Sequence, residues 1–463
     1  MTVELTHLVE AVAEHYRNIA SQPVVRPVDR EEIVDHLTRC YGGFQEPLPL
    51  DDLISDVAYM LGRWGVQVTH PRYFGLFCPG VTLAGVAGDT LAAAFNPQLA
   101  AWSHAPAANE IERYTLDFLT RAIGFDPEQT SAHFTSGGTE ANLTAVLVAL
   151  QHLRPEQREG GVAALLRRPT IYISAGGHHS FEKIAQITGL GRSALRMVGI
   201  DRRLRLSVPR LERTIHADRA RGLAPLMVVA TAGATSTGAI DLLPELARLC
   251  RREGIWLHVD AAWGGGALLS PQLRVHLKGI EQADSVTWDA HKWLSVPMGA
   301  GMFFCRHRRS VERAFAVETG YMPPDAPGAV EPYTTSVQWS RRFIGLKLFM
   351  TLAELGADGY AAQVERQAKL GELLRSELRS AGWCIENDTP LPVVCFTHPE
   401  VPPERLPAIV QALQGEGSYW ISTAELSNGR PVLRACITSF RTNESDVKGL
   451  VAALDAWRSV VQA

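Results

Sequence analysis

Several features that would assign the sequence to a special class of protein are missing. No run of about 18 apolar residues without charges occurs, so no transmembrane helix is predicted. No internal repeat or low-complexity segment is present. The formal net charge of -4 over 463 residues gives no basic surface for nucleic acid or anionic lipid. We therefore expect neither nucleic acid nor a membrane as a partner.

Cysteine is also sparse and irregularly placed. Seven cysteines occur, never at C-x-x-C spacing: Cys40, Cys78, Cys250, Cys305, Cys384, Cys395 and Cys436. An odd, scattered set argues against a disulfide framework and against a zinc site, and it favours reduced thiols. The first residues, MTVELTHLVEAVAEHY, carry acids and lack the basic-then-apolar order of a signal peptide. We expect a cytoplasmic protein without a bound metal.

The remaining composition is that of an ordinary globular chain, 46% hydrophobic and 20% charged, and its length favours two or three domains. Against this background one stretch is unusual. In the run SVTWDAHKWL, residues 285–294, Lys292 lies between apolar residues just after a strand-like segment. A partly desolvated lysine can act as an amine nucleophile near neutral pH, and one common use is covalent attachment of pyridoxal phosphate.

That cofactor needs two further features, and the sequence contains candidates for both. A carboxylate must hold the pyridine nitrogen, and the buried run 255–260 ends in Asp260, followed by small residues such as Ala262 that allow a flat ring close to the backbone. A helix N-terminus must receive the phosphate. The turn TSGGTEAN, residues 135–142, precedes an apolar helical pattern, and we predict that Thr139 caps that helix.

Each signal taken alone has an ordinary explanation. A lysine after a strand is usually solvated, a strand-end aspartate is usually a turn residue, and a glycine turn is a weak indication of an anion site. The combination, in the order anion turn, strand with Asp260 and strand with Lys292, is much more specific.

The phrases TSGGTEAN, HVDAAWGG and DAHKW resemble the signature of the group II pyridoxal-phosphate amino-acid decarboxylases, the family of the aromatic-L-amino-acid, histidine, glutamate and cysteine-sulfinate enzymes. The resemblance extends from about Leu8 to the C-terminus. It implies pyridoxal 5'-phosphate as cofactor, an amino-acid substrate, and a homodimer with its active site at the subunit interface.

The resemblance also assigns expected roles residue by residue. His178 would stack on the cofactor ring, in preference to its neighbour His179. Lys292, His178 and Tyr333 are the expected catalytic residues. Tyr333 matches a mobile-loop tyrosine that protonates the intermediate, although its spacing to Arg341 is not identical, and a loop tyrosine without a role is the alternative. The expected cofactor contacts are Gly138, Thr139, His178, Thr231, Asp260, Ala262, Asp289, His291 and Lys292.

Substrate contacts are expected from Phe77, Trp102 and His104, and from Arg434, which would reach the substrate carboxylate. A surface ion pair is the ordinary alternative for Arg434. The stretch around Trp102 departs from the glutamate decarboxylase pattern, and Ala100 stands where aromatic-amino-acid enzymes tend to carry a bulky aromatic residue. No additional cation calls for a second carboxylate, so an aromatic or bulky substrate is favoured over an acidic one.

The order of elements predicts the fold. Between residues 110 and 310, short β-branched runs alternate with helical patterns, which favours a mostly parallel sheet covered on both faces. With the resemblance, the fold class is an α/β, fold-type I pyridoxal-phosphate enzyme with a seven-stranded sheet. The expected domains are an N-terminal helical dimerisation arm (1–65), a large cofactor-binding domain (66–360) and a small C-terminal α+β domain (361–463).

The sequence thus predicts decarboxylation of an L-amino acid to an amine and carbon dioxide. Two alternatives remain: an oxidative decarboxylation-deamination giving an aldehyde, against which Tyr333 speaks, and a catalytically silent binding protein, against which the joint presence of Lys292, Asp260 and His178 speaks. A decarboxylase for an acidic or non-proteinogenic amino acid is also open.

Overall fold

The structure is a computed structural model that describes residues 6–77, 79–322, 328–426 and 429–462. Cys78 and residues 323–327, in the middle of the Pro- and Gly-rich segment that includes Tyr333, lie outside the described residues. The helices are α1 Thr6–Asn18, α2 Arg30–Tyr41, α3 Leu50–Trp64, α4 Leu83–Phe95, α5 Pro106–Ile123, α6 Gly138–Leu153, α7 Gln157–Gly160, α8 Ser180–Ile187, α9 Val208–Ala220, α10 Leu243–Glu253, α11 Arg308–Phe315, α12 Leu346–Ser380, α13 Leu406–Gly415 and α14 Glu444–Gln462. The strands are β1 Ser131–Thr135, β2 Pro169–Ser174, β3 Leu195–Val198, β4 Ala224–Thr231, β5 Trp256–Asp260, β6 Ser285–Asp289, β7 Gly301–Cys305, β8 Cys384–Ile385, β9 Val393–Thr397, β10 Ser422–Glu425 and β11 Pro431–Cys436.

The large sheet has seven strands in the order β1-β7-β6-β5-β4-β2-β3. Strand β7 runs antiparallel to both of its neighbours, and the other pairings are parallel. The predicted mostly parallel seven-stranded sheet is therefore confirmed. The carboxyl ends of β1, β4, β5 and β6 meet at one edge, where ligands collect in sheets of this type.

The central strands are buried on both faces, which explains their continuous apolar runs. Alternate side chains of β4 enter different cores: Val228 and Ala230 join the larger core, and Met227 and Val229 join the core under α6 and α8. Because successive side chains of a strand point to opposite faces, the two cores lie on opposite faces of the sheet, between it and two layers of helices.

A second, antiparallel sheet in the order β10-β11-β9-β8 forms the C-terminal part of the chain. Helix α12 joins the two parts: Leu348 and Val364 pack in the larger core, and Leu374 and Leu378 pack in the core of the small sheet. Gly356 interrupts the helix with a φ of 67°. The proposed boundary at residue 360 falls inside this helix.

The first three helices contain no fully buried residue. Asp29 begins α2 as its N-cap by accepting a hydrogen bond from the Glu31 amide. Large apolar side chains on α1, α3 and α4 are exposed, among them Val9, Leu61 and Phe95 at 64%, 68% and 81%. Within the described residues, no helix has the length and apolar character needed to cross a membrane.

Candidate active site

A cavity of about 360 Å³ opens at the carboxyl edge of the large sheet. The ends of four strands and the start of α6 form its walls, because parallel strands bring their last residues to the same edge. It is lined by Ser136, Gly137, Gly138, Thr139, Glu140, Asn142, His178, Thr231, Gly233, Thr235, Asp260, Ala262, Trp263, Asp289, His291, Lys292 and Met298. The nine expected cofactor contacts are therefore all brought to one cavity.

The glycine turn leads directly into α6, but its capping differs from the prediction. Helix α6 begins at Gly138, so Gly137 is the N-cap and Thr139 lies inside the first turn without a capping hydrogen bond. The prediction that Thr139 caps the helix is wrong because the chain enters the helix two residues earlier. Backbone amides of a first helical turn have no intrahelical partner, so this turn still presents donors to an anion.

Asp289 at the end of β6 and His291 just after it pack against this turn, because glycine leaves room for them. A Cβ on Gly138 would lie 2.9 Å from Oδ2 of Asp289, and a Cβ on Gly137 would lie 3.5 Å from Cε1 of His291. Asp289 is 1% exposed, and its Oδ1 has no hydrogen-bond partner within the described residues. Burial lowers the pKa of His291, with the Asp289 charge opposing the shift.

Lys292 lies in the turn after β6, with its side chain 23% exposed. Its Nζ is 3.0 Å from Oδ2 of Asp289, so the ammonium form is paired with a buried carboxylate. The amine is thus held at the cavity wall, beside the N-terminus of α6.

Asp260 ends β5 with both carboxylate oxygens engaged. Oδ1 accepts a hydrogen bond from the Ala262 amide at 3.1 Å, and Oδ2 accepts one from Nδ2 of Asn142 at 3.0 Å. In the parallel pairing of β4 with β5, Thr231 at the end of β4 lies beside Asp260. Two donors fix the carboxylate in one orientation.

His178 lies before α8 and lines the same cavity. Burial lowers its pKa, and the negative charge of Asp260 partly opposes the shift. Its Nδ1 accepts a hydrogen bond from the Ser180 amide at 3.2 Å, which leaves the proton of the neutral ring on Nε2. The imidazole is therefore neutral at pH 7 and oriented by the backbone.

Phe77 and Arg434 lie one layer behind the cavity. The Phe77 ring stacks on Trp263, with 4.4 Å between centroids, and the Arg434 guanidinium lies 4.9 Å over the Phe77 ring. Arg434 also donates to the carbonyls of Thr235 and Gly75, and its Nη2 has no partner in the described part of the chain. Neither Phe77 nor Arg434 lines the cavity itself.

Trp102, His104 and Tyr333 belong to a different part of the molecule. The Tyr333 amide donates to the Ala100 carbonyl, and the Tyr333 ring packs on Trp339 at 5.1 Å. The indole of Trp102 donates to Glu110. The exposed His104 ring contacts Gln98. None of the three side chains lines the cavity of its own chain.

Sequence reasoning did not single out Trp263, Asn142, Glu140 or Met298, which also line the cavity. Trp263 follows Asp260 in the HVDAAWGG phrase, and Asn142 ends the TSGGTEAN phrase. Both residues lie within phrases that resemble the family signature, at positions to which the resemblance assigned no role. Met298 follows no motif and could not have been found without the fold.

The site fits pyridoxal phosphate. Gly138 leaves a cradle that a Cβ would fill, and the first turn of α6 presents backbone amides to an anion. At the end of β5, the fixed carboxylate of Asp260 can hold a cationic ring nitrogen, and Lys292 supplies the amine.

Comparisons with known proteins agree with this geometry. The model of the pyridoxal-dependent decarboxylase conserved domain matches residues 43–398. The chain is 29% identical to the aromatic-L-amino-acid decarboxylase of Bacillus atrophaeus, over 97% of this chain and 93% of that protein. It is 36% identical to the L-2,4-diaminobutyrate decarboxylase of Rhizobium meliloti (strain 1021), over 68% of this chain and 64% of that protein.

The crystal structure of Oryza sativa TDC with PLP and tryptamine superposes with a TM-score of 0.92 at 23% identity, covering 99% of this chain and 97% of that one, and supports the fold. The family predicted from the three sequence phrases is confirmed. The chain belongs to the pyridoxal-dependent decarboxylase family and is a pyridoxal-phosphate-dependent amino-acid decarboxylase.

Proposed function

We propose that the protein decarboxylates an L-amino acid with an aromatic or bulky side chain. The observation that supports this best is the cavity wall, where Trp263 is backed by the stacked Phe77 ring. Lys292 is the one cation among the cavity's described lining residues, and its amine is committed to the cofactor, so the cavity offers no charge partner for a side-chain carboxylate. A flat apolar surface without a free cation suits an aromatic group better than an acidic one.

The roles of the cavity residues follow from their contacts. Lys292 would bind the cofactor covalently, and the α6 amides at Gly138 and Thr139 would hold its phosphate. Asp260 would keep a proton on the ring nitrogen. Pyridoxal phosphate supplies an electron sink for the bond that loses carbon dioxide. His178, neutral and fixed by the backbone, would stack on the ring.

Tyr333 and Trp102 are proposed to serve the cavity of a second copy of the chain. Both side chains lie outside the cavity of their own chain. A hydrogen bond from the Tyr333 amide to the Ala100 carbonyl joins the segment of Tyr333 to the segment of Trp102. The exposed apolar side chains of α1, α3 and α4, such as Leu61 and Phe95, provide a surface for dimerisation. In this homodimer, Tyr333 would return a proton to the decarboxylated carbon.

The substrate is tested by incubating the cofactor-loaded protein with each proteinogenic amino acid, dihydroxyphenylalanine, cysteine sulfinate and 2,4-diaminobutyrate. Amine and carbon dioxide are followed by mass spectrometry. We expect one or more aromatic substrates, and replacement of Trp263 by Leu should raise their KM more than that of a small amino acid. Turnover of glutamate or cysteine sulfinate alone would contradict the proposal.

A diamino acid is the second candidate. The relative that shares 36% identity is named for L-2,4-diaminobutyrate, and the cavity contains the carboxylate of Glu140. Both oxygens of Glu140 are engaged by Gln338, at 2.8 and 2.9 Å, and one of them also by Ser136. Because this carboxylate is already occupied, we rank the diamino acid second. Selective loss of diaminobutyrate turnover in Glu140→Gln would reverse the order.

A further inference from the structure

A continuous chain of hydrogen bonds runs from Asp260 into the core of the large sheet. Nδ2 of Asn142 lies 3.0 Å from Asp260, and Oδ1 of Asn142 lies 2.9 Å from Nε2 of His258. Nδ1 of His258 lies 2.8 Å from the Ser285 hydroxyl, which is 2.8 Å from the indole Nε1 of Trp256. Every side chain in this relay is buried.

The direction of each bond in the relay is determined by its ends. A carboxylate only accepts, so the Asn142 amide must turn its NH₂ group toward Asp260 and its oxygen toward His258. His258 must then donate from Nε2 and accept at Nδ1. The indole N–H only donates, so the Ser285 oxygen accepts from Trp256 while its proton goes to His258. The five side chains of the relay make all of these hydrogen bonds only when Asp260 is an acceptor.

The protonation state of His258 agrees with this direction. Burial lowers its pKa to about 4, so the ring is neutral at pH 7 and carries one donor and one acceptor. The Thr287 hydroxyl also donates to the Asn142 oxygen at 2.7 Å, which holds the amide in the same orientation. Hydrogen bonds aligned in one direction polarise one another in a buried, low-dielectric environment.

We propose that Asn142 and His258 are positioning residues that hold Asp260 as a fixed hydrogen-bond acceptor and thereby set the protonation of the cofactor's ring nitrogen. The inference rests on the proposed role of Asp260. It goes further by giving His258, inside the sheet and outside the cavity lining, a part in the cofactor's chemistry through Asn142 at the cavity wall.

The chain provides a matched control for removing a buried histidine. His133 lies on β1, is 4% exposed, and neither ring nitrogen has a hydrogen-bond partner within the described residues. Within the described residues, no hydrogen bond joins the His133 ring to Asp260 or Asn142. His133→Leu therefore makes the same chemical change as His258→Leu in the same sheet without breaking the relay.

The experiment loads each variant with pyridoxal phosphate labelled with ¹⁵N in the ring and records the ¹⁵N chemical shift, which reports ring protonation, and the cofactor dissociation constant. We expect Asn142→Leu to raise the dissociation constant roughly 10- to 100-fold, since it removes a bond to a charged group. His258→Leu should raise it roughly 3- to 10-fold and move the ¹⁵N shift toward the unprotonated ring. His258→Gln, which retains a donor to Asn142, should restore both values.

The outcomes separate the inference from the function on which it rests. If Asp260→Asn leaves the ¹⁵N shift unchanged, the proposed role of Asp260 fails. If Asp260→Asn changes the shift while His258→Leu behaves like His133→Leu, the relay fails alone. Should His258→Leu be unstable, as judged by thermal unfolding of the cofactor-free protein, Ser285→Ala takes its place, and a shift equal to wild type would overturn the inference.

Discussion

Removing Glu112 should destabilise the protein strongly, because it leaves a buried guanidinium unpaired. Glu112 and Arg341 are each 4% exposed at the side chain and form an ion pair of 2.7 Å. The other Glu112 oxygen accepts a hydrogen bond from the Gly345 amide at 2.9 Å. Breaking a buried pair costs about 3–5 kcal/mol, and an orphaned buried amide costs about 1–3 kcal/mol.

For Glu112→Ala we expect a loss of about 4–8 kcal/mol. The unfolding entropy of about 2.1 cal/mol/K per residue gives roughly 1 kcal/mol/K for a chain of this length, so Tm should fall by about 4–8 °C. Because the Arg341 carbonyl accepts from the Leu99 amide, the segment before Trp102 should loosen and turnover should fall as well.

Differential scanning calorimetry at fixed protein and cofactor concentration measures the change. The double variant Glu112→Leu with Arg341→Leu should recover most of the lost Tm, since both charges are gone. A Tm of Glu112→Ala within 1 °C of wild type, or a double variant less stable than the single one, would refute the reasoning.

Four further outcomes are expected. Lys292→Ala should lose turnover and fail to retain the cofactor on gel filtration. Tyr333→Phe should release less amine and, in air-saturated buffer, more aldehyde, ammonia and hydrogen peroxide, because the decarboxylated carbon lacks its proton donor and dissolved oxygen and water react in its place; unchanged amine yield would remove Tyr333 from the mechanism. Gly138→Ala should weaken cofactor binding roughly tenfold or more, since its Cβ would lie 2.9 Å from the Asp289 carboxylate. Burial lowers the pKa of His133 to about 3, so as the pH falls below 6.5 this histidine is protonated in the unfolded chain before it is protonated in the folded one. Between pH 7 and 5 the free energy of unfolding of the wild type should therefore fall by about 2 kcal/mol more than that of His133→Leu. Denaturant titrations of the cofactor-free protein measure this difference.

The sequence predicted the elements that carry their own pattern. The runs ending in Asp260 and in Asp289 are short, mostly apolar and contain β-branched residues, so their strands and the position of the edge could be predicted. Strand β1, Ser131–Thr135, was not predicted, because SAHFT includes polar residues and has no clear period. Its structure depends on pairing with β7, which is distant in the sequence.

The motifs also predicted the cavity but not the contacts around it. Asn142 and His258 are 116 residues apart, so no spacing rule could have joined them. Phe77 was expected at the cavity wall and instead supports Trp263 from behind. Trp102 and Tyr333 were expected near the chemistry, and each lies outside the cavity of its own chain. Side-chain contacts between distant segments are decided by packing, which local patterns do not encode.

The central claim, decarboxylation at the Lys292 cavity, is tested most directly with amino acids carrying ¹³C in the carboxyl group. The purified, cofactor-loaded protein is supplied with the substrate identified from the panel, and ¹³CO₂, amine, aldehyde and hydrogen peroxide are measured in the same reaction. We predict one amine for each ¹³CO₂, without aldehyde or peroxide, and no release from Lys292→Ala. Aldehyde and peroxide in place of amine, or ¹³CO₂ released equally by Lys292→Ala, would contradict the account.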